Sequence, residues 1–165
     1  MERKRSLLMP ENLPTLETKD LALLRRLQAD TRQSNAELAE QIGVSASACY
    51  RRVKALESEG VIKDQVALLD PAKLGLAFHA IVHVSLSRHK RSDVEAFVAK
   101  VGDRPEVIEC FSTTGDADFH LRVLAKDASA YNTFLDEFLF GLPGVSRVRT
   151  NLVLKEIKHT TALPI

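Results

Sequence analysis

The sequence predicts an α+β protein of two domains: an N-terminal helix-turn-helix domain, winged-helix-like, and a C-terminal ferredoxin-like βαββαβ domain. Three observations support this prediction. Apolar residues recur at helical spacing up to residue 62, and two of the helices predicted there are separated by only a few residues. Asp70-Pro71 then interrupts regular structure. Beyond residue 77, segments that alternate with a period of two residues are interspersed with helical segments.

Length and composition limit the possible classes of protein. The chain has 165 residues, of which 45% are hydrophobic, and this is enough for two small cores. Its 23 Lys and Arg nearly balance 22 Asp and Glu, so the net charge of +1 does not indicate a nucleic-acid partner. A single DNA-binding module with so little excess positive charge binds weakly, which favours a dimer or a larger assembly.

Residues 1–15 are predicted to form a flexible extension, with a basic arm that contacts DNA phosphates as the alternative. The apolar run that ends before Pro10 has three residues, too few for a secretion signal or a membrane span. Cys49 and Cys110 lie in apolar patterns and are expected to be reduced thiols in the two cores. Together these features predict a cytoplasmic protein with no membrane partner.

Two helices are predicted at the start of the folded chain. The first carries leucines at positions 21, 24 and 27 on one face, with Thr18 as a plausible N-cap. The second begins with the capping box of Ser34 and Glu37, in which each side chain bonds to a backbone N–H of the other residue. Gly43 is expected to end it.

The third helix is the candidate DNA-binding element. Ser45 is expected to cap it, Cys49 and Val53 lie on its apolar stripe, and Gly60 is expected to end it. A step of about 100° per residue then decides which side chains point outwards or flank the outward face. These candidate DNA-binding residues are Ser45, Ser47, Ala48, Tyr50, Arg51, Arg52 and Lys54.

Different roles are predicted for the residues of this third helix. Arg51 is expected to contact a guanine edge, whereas Tyr50 and Arg52 are placed to hold phosphates. The alternative is a helical bundle whose basic face is merely solvated. The tight turn, the small residues at the start of the helix and the hydrogen-bonding side chains beyond them together favour DNA binding.

A linker is predicted between the domains, because Asp70-Pro71 breaks regular structure and Gly75 adds backbone freedom. Before it, Ile62–Leu69 alternates loosely and is expected to form a short strand or hairpin. The predicted organisation is an extension, a helix-turn-helix domain, a linker and a ferredoxin-like domain at residues 1–15, 16–64, 65–76 and 77–165.

The second domain is predicted as βαββαβ from alternating patterns and helix caps. Ser92 and Glu95 suggest a capping box for its first helix, and Asp127 is expected to cap its second. The predicted strands are Phe78–Leu86, Val107–Thr113, Phe119–Ala125 and about Val145–Leu154.

One face of the predicted sheet is too apolar to be fully wetted and too polar for the core of a monomer. It therefore indicates a homodimer in which two sheets face each other. The residues predicted on this face are His79, Ile81, His83, His120, Arg122, Leu124, Arg147, Arg149 and Val153.

Residues 114–119 combine Gly115 with Asp116 and Asp118. The pattern suits a simple hairpin turn, with glycine providing a positive φ. It also suits a free amino acid, since carboxylates can hold an ammonium group and exposed N–H groups can hold a carboxylate. Both interpretations remain open on the residues alone.

Catalytic and metal-binding residues are not evident, and no cofactor motif is present in the sequence. His79 and His83 share a strand face but would stand about 13 Å apart, too far to bind one metal ion. No phosphate-binding loop, Cys-x-x-Cys motif or serine-centred elbow occurs. The sequence therefore argues against an enzyme.

From Leu16 to about Ile165 the chain resembles the Lrp/AsnC, or feast/famine, family of bacterial and archaeal transcription regulators. Departures occur at Ala46 and Ala48, where proline is frequent, at Glu17, where Asp is usual, and at Phe119, where Tyr is common. The matching segments are LETKDLALLRRLQADTR, IGVSASACYRRVKALESEGVI, LLDPAKLG, PEVIECFSTTGDADFHLRV and LPGVSRVRT.

The resemblance implies a regulator that binds double-stranded DNA, dimerises through its C-terminal sheet and assembles from dimers into octamers. It also implies a small-molecule effector, commonly an amino acid, held between dimers. An architectural DNA-binding protein without effector is the alternative, and a small metabolic enzyme is a weaker one. The effector-binding residues that the resemblance implies are Thr114, Gly115, Asp116 and Asp118, while Phe119 lacks the tyrosine hydroxyl.

Overall fold

The computed structural model describes residues 14–87 and 90–165, so the predicted extension falls almost wholly outside the described residues. The chain divides into two compact units. The first contains the described residues up to Ala67 together with His159–Ile165, and the second is Leu68–Lys158. The last seven residues thus pack in the first unit, whereas the sequence placed them in the second domain.

The first unit contains three helices: α1 at Thr18–Ala29, α2 at Asn35–Ile42 and α3 at Ala46–Ser58. Only three residues separate α2 from α3, as the predicted helix-turn-helix requires. The three helices bury one apolar cluster, which includes the predicted stripe of α3. Its buried members are Leu23, Leu24, Leu38, Ala39, Cys49, Val53 and Leu56.

The caps of the helix-turn-helix are formed as predicted. Ser34 and Glu37 make the reciprocal capping box of α2, and the Ser45 hydroxyl accepts a hydrogen bond from the Ala48 N–H at the start of α3. Gly43 ends α2 with a φ of 66°, a conformation that favours glycine. The cap predicted for α1 was wrong by one residue, because Glu17 rather than Thr18 precedes the helix.

The C-terminal tail is held against α1 within the first unit. The side-chain amide of Gln28 donates to the Leu163 carbonyl at 3.2 Å, and Arg25 Nε donates to the Ile165 carbonyl at 2.6 Å. This contact could not be predicted from the sequence, since the tail has no regular periodicity.

The strand or hairpin predicted for Ile62–Leu69 is absent, and this prediction was wrong. Among the described residues this segment pairs with no other strand, and an isolated strand is not stable in water. Its apolar side chains Val66, Leu68 and Leu69 are exposed.

The second unit is a four-stranded antiparallel sheet with the strand order β2-β3-β1-β4. Side chains of both helices pack on one face of the sheet, which confirms the ferredoxin-like βαββαβ fold. Phe97 and Phe134 are among its largest fully buried side chains. The elements are β1 at Phe78–Leu86, α4 at Arg91–Gly102, β2 at Val107–Ser112, β3 at Phe119–Ala125, α5 at Ala128–Thr133 and β4 at Val145–Leu152.

Two predictions about this unit were wrong. Helix α4 begins after Lys90, so Ser92 lies inside the helix, and the Glu95 carboxylate accepts from Arg91 Nε at 2.6 Å instead of capping. Cys110 is exposed rather than buried in the core, because it lies on β2 at the edge of the sheet. The Asp127 cap of α5 is confirmed, and the helix continues as a π-helical turn at Phe134–Phe138.

The face of the sheet opposite α4 and α5, here called the open face, carries the residues that the sequence placed there. Cross-strand partners share a face, and His83 lies opposite both His120 and Arg149. Ile81 likewise lies opposite Arg122 and Asn151.

Candidate functional site

Helix α3 presents an outward face that matches the predicted one. Ser47, Tyr50, Arg51 and Lys54 are exposed, while Cys49, Val53 and Leu56 are buried against the other helices. Ala48 and Arg52 are half-buried at its flanks, and Ser45 is exposed at its start. The hydroxyls of Ser45 and Ser47 lie 3.2 Å apart near the N-terminus of the helix, and the Ser45 hydroxyl also accepts from the Ala48 N–H.

The three cations of α3 differ in their partners. Lys54 Nζ donates to the Glu57 carboxylate at 2.7 Å, and this hydrogen bond raises the pKa of Lys54. Arg52 is paired with two carboxylates at the start of α1. Within the part of the chain that the structure describes, Arg51 has no ion pair. Arg51 is therefore the cation of α3 that is most accessible to an external ligand.

Glu17 and Asp20 hold the guanidinium of Arg52. Arg52 Nη2 donates to Glu17 Oε2 at 2.6 Å, and Nη1 donates to Asp20 Oδ1. The hydrogen bonds to Glu17 and then to Asp20 raise the pKa of Arg52. Asp20 is 8% exposed, and among the described residues it is the one charged residue that is buried.

Sequence reasoning missed this arrangement of Glu17, Asp20 and Arg52. A signal was present, since Glu17 and Asp20 have the spacing of a capping box just before an apolar helical stripe. An acidic pair at a helix start attracts a cation from a neighbouring helix, and α3 has no carboxylate of its own beside Arg52. The predicted phosphate contact of Arg52 stays untested.

The loop between β2 and β3, Thr113–Asp118, is the second candidate site. Thr114, Gly115 and Asp116 are exposed, and Gly115 has a φ of 123° that favours glycine. The loop is fixed by its own hydrogen bonds, because Thr113 Oγ1 donates to the Ala117 carbonyl at 3.1 Å. It therefore presents a defined arrangement of one carboxylate, one hydroxyl and backbone groups.

The two aspartates of this loop have different surroundings. Asp118 Oδ2 accepts a hydrogen bond of 2.7 Å from the Leu86 N–H, and the Asp118 N–H donates to the Val84 carbonyl. Asp118 thus ties the loop to the end of β1. The Asp116 side chain is exposed, and the Asp116 backbone carbonyl accepts a hydrogen bond of 3.3 Å from Ser85 Oγ.

The open face of the sheet contains a cluster of polar side chains. The rings of His83 and His120 meet edge to face with centroids 4.5 Å apart, and Asn151 Nδ2 lies 3.1 Å from His83 Nε2. Burial, followed by the charges of His120 and Arg149, lowers the pKa of His83. Beside this cluster, Phe111 remains 56% exposed.

Comparison with known proteins identifies both units. Residues 16–63 match the family described as winged helix-turn-helix DNA-binding, and residues 79–163 match the Lrp/AsnC ligand binding domain. The chain belongs to the Lrp/AsnC family. Together the two matches span the Lrp/AsnC arrangement that the sequence predicted, with a DNA-binding domain before a ligand-binding domain.

Similar Lrp/AsnC proteins are transcriptional regulators. The regulator AzlB of Bacillus subtilis is 37% identical over 150 residues, covering 91% of this chain and 96% of AzlB. The leucine-responsive regulatory protein of Salmonella typhimurium is 38% identical over 146 residues, covering 88% and 89%. A crystal structure of the regulator NMB0573 of Neisseria meningitidis with L-Met superposes with a TM-score of 0.86 at 39% identity, covering 91% and 97%.

Two further structural findings concern the described residues of this Lrp/AsnC chain. None of their helices is long and apolar enough to cross a membrane. Among the same residues, no three His, Cys, Asp or Glu side chains are grouped so as to bind a metal ion.

Proposed function

We propose that this Lrp/AsnC regulator binds specific double-stranded DNA by placing the outward face of α3 in the major groove. Arg51 carries the proposal, because its guanidinium is exposed and has no ion pair in the described chain. A free guanidinium can bond to the two acceptors of a guanine edge. Small residues at the start of α3 allow close approach to the duplex. The phosphate contacts come from Ser45, Ser47, Tyr50 and Lys54.

The open face of the sheet is proposed to join two copies of the chain. It combines the apolar side chains of Ile81 and Phe111 with the His83 cluster, and such a mixed surface suits contact with an identical sheet. A two-fold dimer presents two α3 helices, so it should bind a pseudo-palindromic site with half-sites about 34 Å, or a multiple of this, apart. Assembly of dimers into octamers is part of the same proposal.

The loop Thr113–Asp118 is proposed to bind an amino acid or a related metabolite. NMB0573 of Neisseria meningitidis has been crystallised with L-Met, which supports an amino acid as the class of ligand. In this chain the Asp116 carboxylate would accept the ammonium group, and Thr114 and the Gly115 N–H would donate to the carboxylate. Asp118 would act by holding the loop on β1.

The protein is a DNA-binding transcriptional regulator, as its relatives are. We propose in addition that it acts in the cytoplasm and does not catalyse a reaction. An architectural role without effector is the second candidate, favoured by the way Asp118 is already bonded within the fold.

Selection from a random duplex library tests the DNA-binding proposal. The full chain should enrich a pseudo-palindromic sequence, and Arg51→Ala should enrich it poorly.

A screen of the twenty amino acids by thermal unfolding tests the effector, since a ligand that binds only the native state raises the melting temperature. No enriched sequence would reject specific DNA binding, whereas enrichment without any thermal shift would favour the architectural role.

A further inference from the structure

Arg51 and Arg52 are adjacent on α3 but have opposite surroundings. The Arg51 side chain is exposed and unpaired among the described residues, whereas 29% of the Arg52 side chain is exposed and its guanidinium contacts α1. A phosphate contact was the role predicted for Arg52 from the sequence. The structure instead offers a different use for it.

Glu17 and Asp20, here called the acidic clamp, are themselves fixed in position. Asp20 Oδ2 accepts a hydrogen bond of 2.9 Å from the Glu17 N–H, while its other oxygen accepts from Arg52. Asp20 therefore joins the backbone at the start of α1 to the side of α3. Glu17 adds a second, more exposed carboxylate on the same guanidinium.

We infer that Arg52 is a positioning residue, which the acidic clamp uses to fix the rotation of α3 so that Arg51 meets the base edges. This inference rests on the proposed DNA binding by α3. A guanidinium that bonds two carboxylates has a defined orientation, because its donors form a rigid planar fork. The buried stripe of α3 consists of small and medium-sized apolar side chains. Their packing has no preferred direction, so it fixes the rotation of α3 about its axis less closely than the hydrogen bonds of Arg52 do.

A contact with a base edge tolerates so little displacement that the contact between Arg52 and the acidic clamp can decide whether it forms. A side chain reaches roughly 5–6 Å from the helix axis, so a rotation of about 10° moves its end by about 1 Å. A hydrogen bond to a base edge tolerates only a few tenths of an ångström around about 2.9 Å. Release of Arg52 should therefore weaken contacts with bases more than contacts with phosphates, which are less directional.

A phosphate contact for Arg52 would require different energetics. A DNA phosphate would have to replace two carboxylates that already bond the guanidinium, and it would approach against their negative charges. In that case removal of one carboxylate should free Arg52 and strengthen DNA binding. The positioning role predicts the opposite sign, and this difference provides the test.

The experiment compares Asp20→Asn, Arg52→Ala and the double variant in the full chain. Affinity is measured by fluorescence anisotropy at 25 °C for the selected operator and for a random duplex of equal length, at several salt concentrations. Arg51→Ala is the matched control, because it removes the same charge from the neighbouring position. Glu17→Gln is included as a milder change, since Glu17 is the more exposed member of the clamp.

If Arg52 positions α3, Asp20→Asn and Arg52→Ala should each lower operator affinity about tenfold, comparable to the loss of one base contact. Affinity for the random duplex and the salt dependence should remain as in the wild type. The double variant should lose no more than either single variant, because both break the same contact. Glu17→Gln should lower operator affinity less, in the same direction.

Three results would overturn the inference. Tighter binding of Asp20→Asn to both duplexes, or a salt dependence of Arg52→Ala reduced by about 0.9 in slope, would make Arg52 a phosphate ligand. A lower melting temperature with an unchanged ratio of operator to random affinity would make the clamp merely structural. If Asp20→Asn does not fold, Glu17→Gln replaces it in the test: weaker operator binding supports the positioning role, and tighter binding to both duplexes contradicts it. If the wild type binds both duplexes equally, the proposed specific DNA binding fails instead.

Discussion

The outward face of α3 and the loop Thr113–Asp118 differ in how the fold uses their charged residues. On α3 the capped helix holds the backbone, and Arg51 is free to project from it. In the loop a side-chain carboxylate stabilises the backbone, because Asp118 accepts a hydrogen bond from the Leu86 N–H at the end of β1. Only Asp116 is then left exposed.

This difference shows that the charged residues available for binding cannot be counted from the sequence. Each region contains a close pair of like residues, Arg51 with Arg52 and Asp116 with Asp118. In each pair one member is bonded within its own unit and the other is exposed. The comparison predicts that substitution of the exposed member removes a contact with the ligand directly, whereas substitution of the bonded member acts through the contact that it makes within the fold.

Replacement of the exposed aspartate should give the largest effect on a ligand. Asp116→Ala removes the proposed carboxylate partner of the effector ammonium and should weaken effector affinity by about 3 kcal/mol. The melting temperature without effector should be unchanged, because the side chain is exposed. Isothermal titration measures the affinity, and Asp136→Ala, an exposed carboxylate of the same unit, serves as the control. Equal affinity of Asp116→Ala and the wild type would reduce the loop to a turn.

Removal of the exposed arginine should have the next largest effect. Arg51→Ala should weaken operator binding by about 2 kcal/mol, since a bidentate contact with a base is lost. Arg51→Lys keeps the charge but loses the planar fork, so it should bind random duplex normally and the operator weakly. Anisotropy on both duplexes measures this. Full operator affinity of Arg51→Lys would show that Arg51 acts only as a charge.

The bonded aspartate should affect stability instead. Asp118→Ala leaves the N–H of the buried residue Leu86 without its acceptor and should destabilise the second unit by about 1–2 kcal/mol. Asp118→Asn keeps an acceptor oxygen and should retain most of that stability. Urea unfolding followed by circular dichroism compares the two variants. Equal stability of Asp118→Ala and the wild type would remove the distinction between the two aspartates.

The smallest effect concerns His83 on the open face. Its pKa is lowered from the usual value of 6.5, mainly by burial and then by His120 and Arg149. Between the lowered pKa and 6.5 the unfolded chain binds more protons at this residue than the folded chain does. The contribution of His83 to the free energy of unfolding is therefore complete above pH 6.5 and declines as the pH falls. Titration by NMR should place His83 below 6.5, and His120→Gln should raise its midpoint. A midpoint at or above 6.5 in the wild type would contradict this.

Regular periodicity made most of the fold predictable from the sequence. The α2 capping box, the apolar stripe of α3 and the alternation of β1 each depend on residues close together in the chain, and each is confirmed. The contacts between Arg52 and Glu17 and between Asp118 and Leu86 join residues more than 30 positions apart. The capping-box spacing marks Glu17 and Asp20 as an acidic pair, but no local pattern identifies Arg52 as its partner or Leu86 as the partner of Asp118. The sequence therefore assigned binding roles to Arg52 and Asp118 without their partners in the fold.

The most direct test of the account is the operator affinity of the wild type and of Asp116→Ala, each with and without the effector found by thermal unfolding. The account predicts that the effector changes the wild-type affinity by a measurable factor. Asp116→Ala should bind the operator as tightly as the effector-free wild type and show no response. The operator should change effector affinity by the same factor, as linkage requires. An effector response of Asp116→Ala equal to that of the wild type would contradict the account.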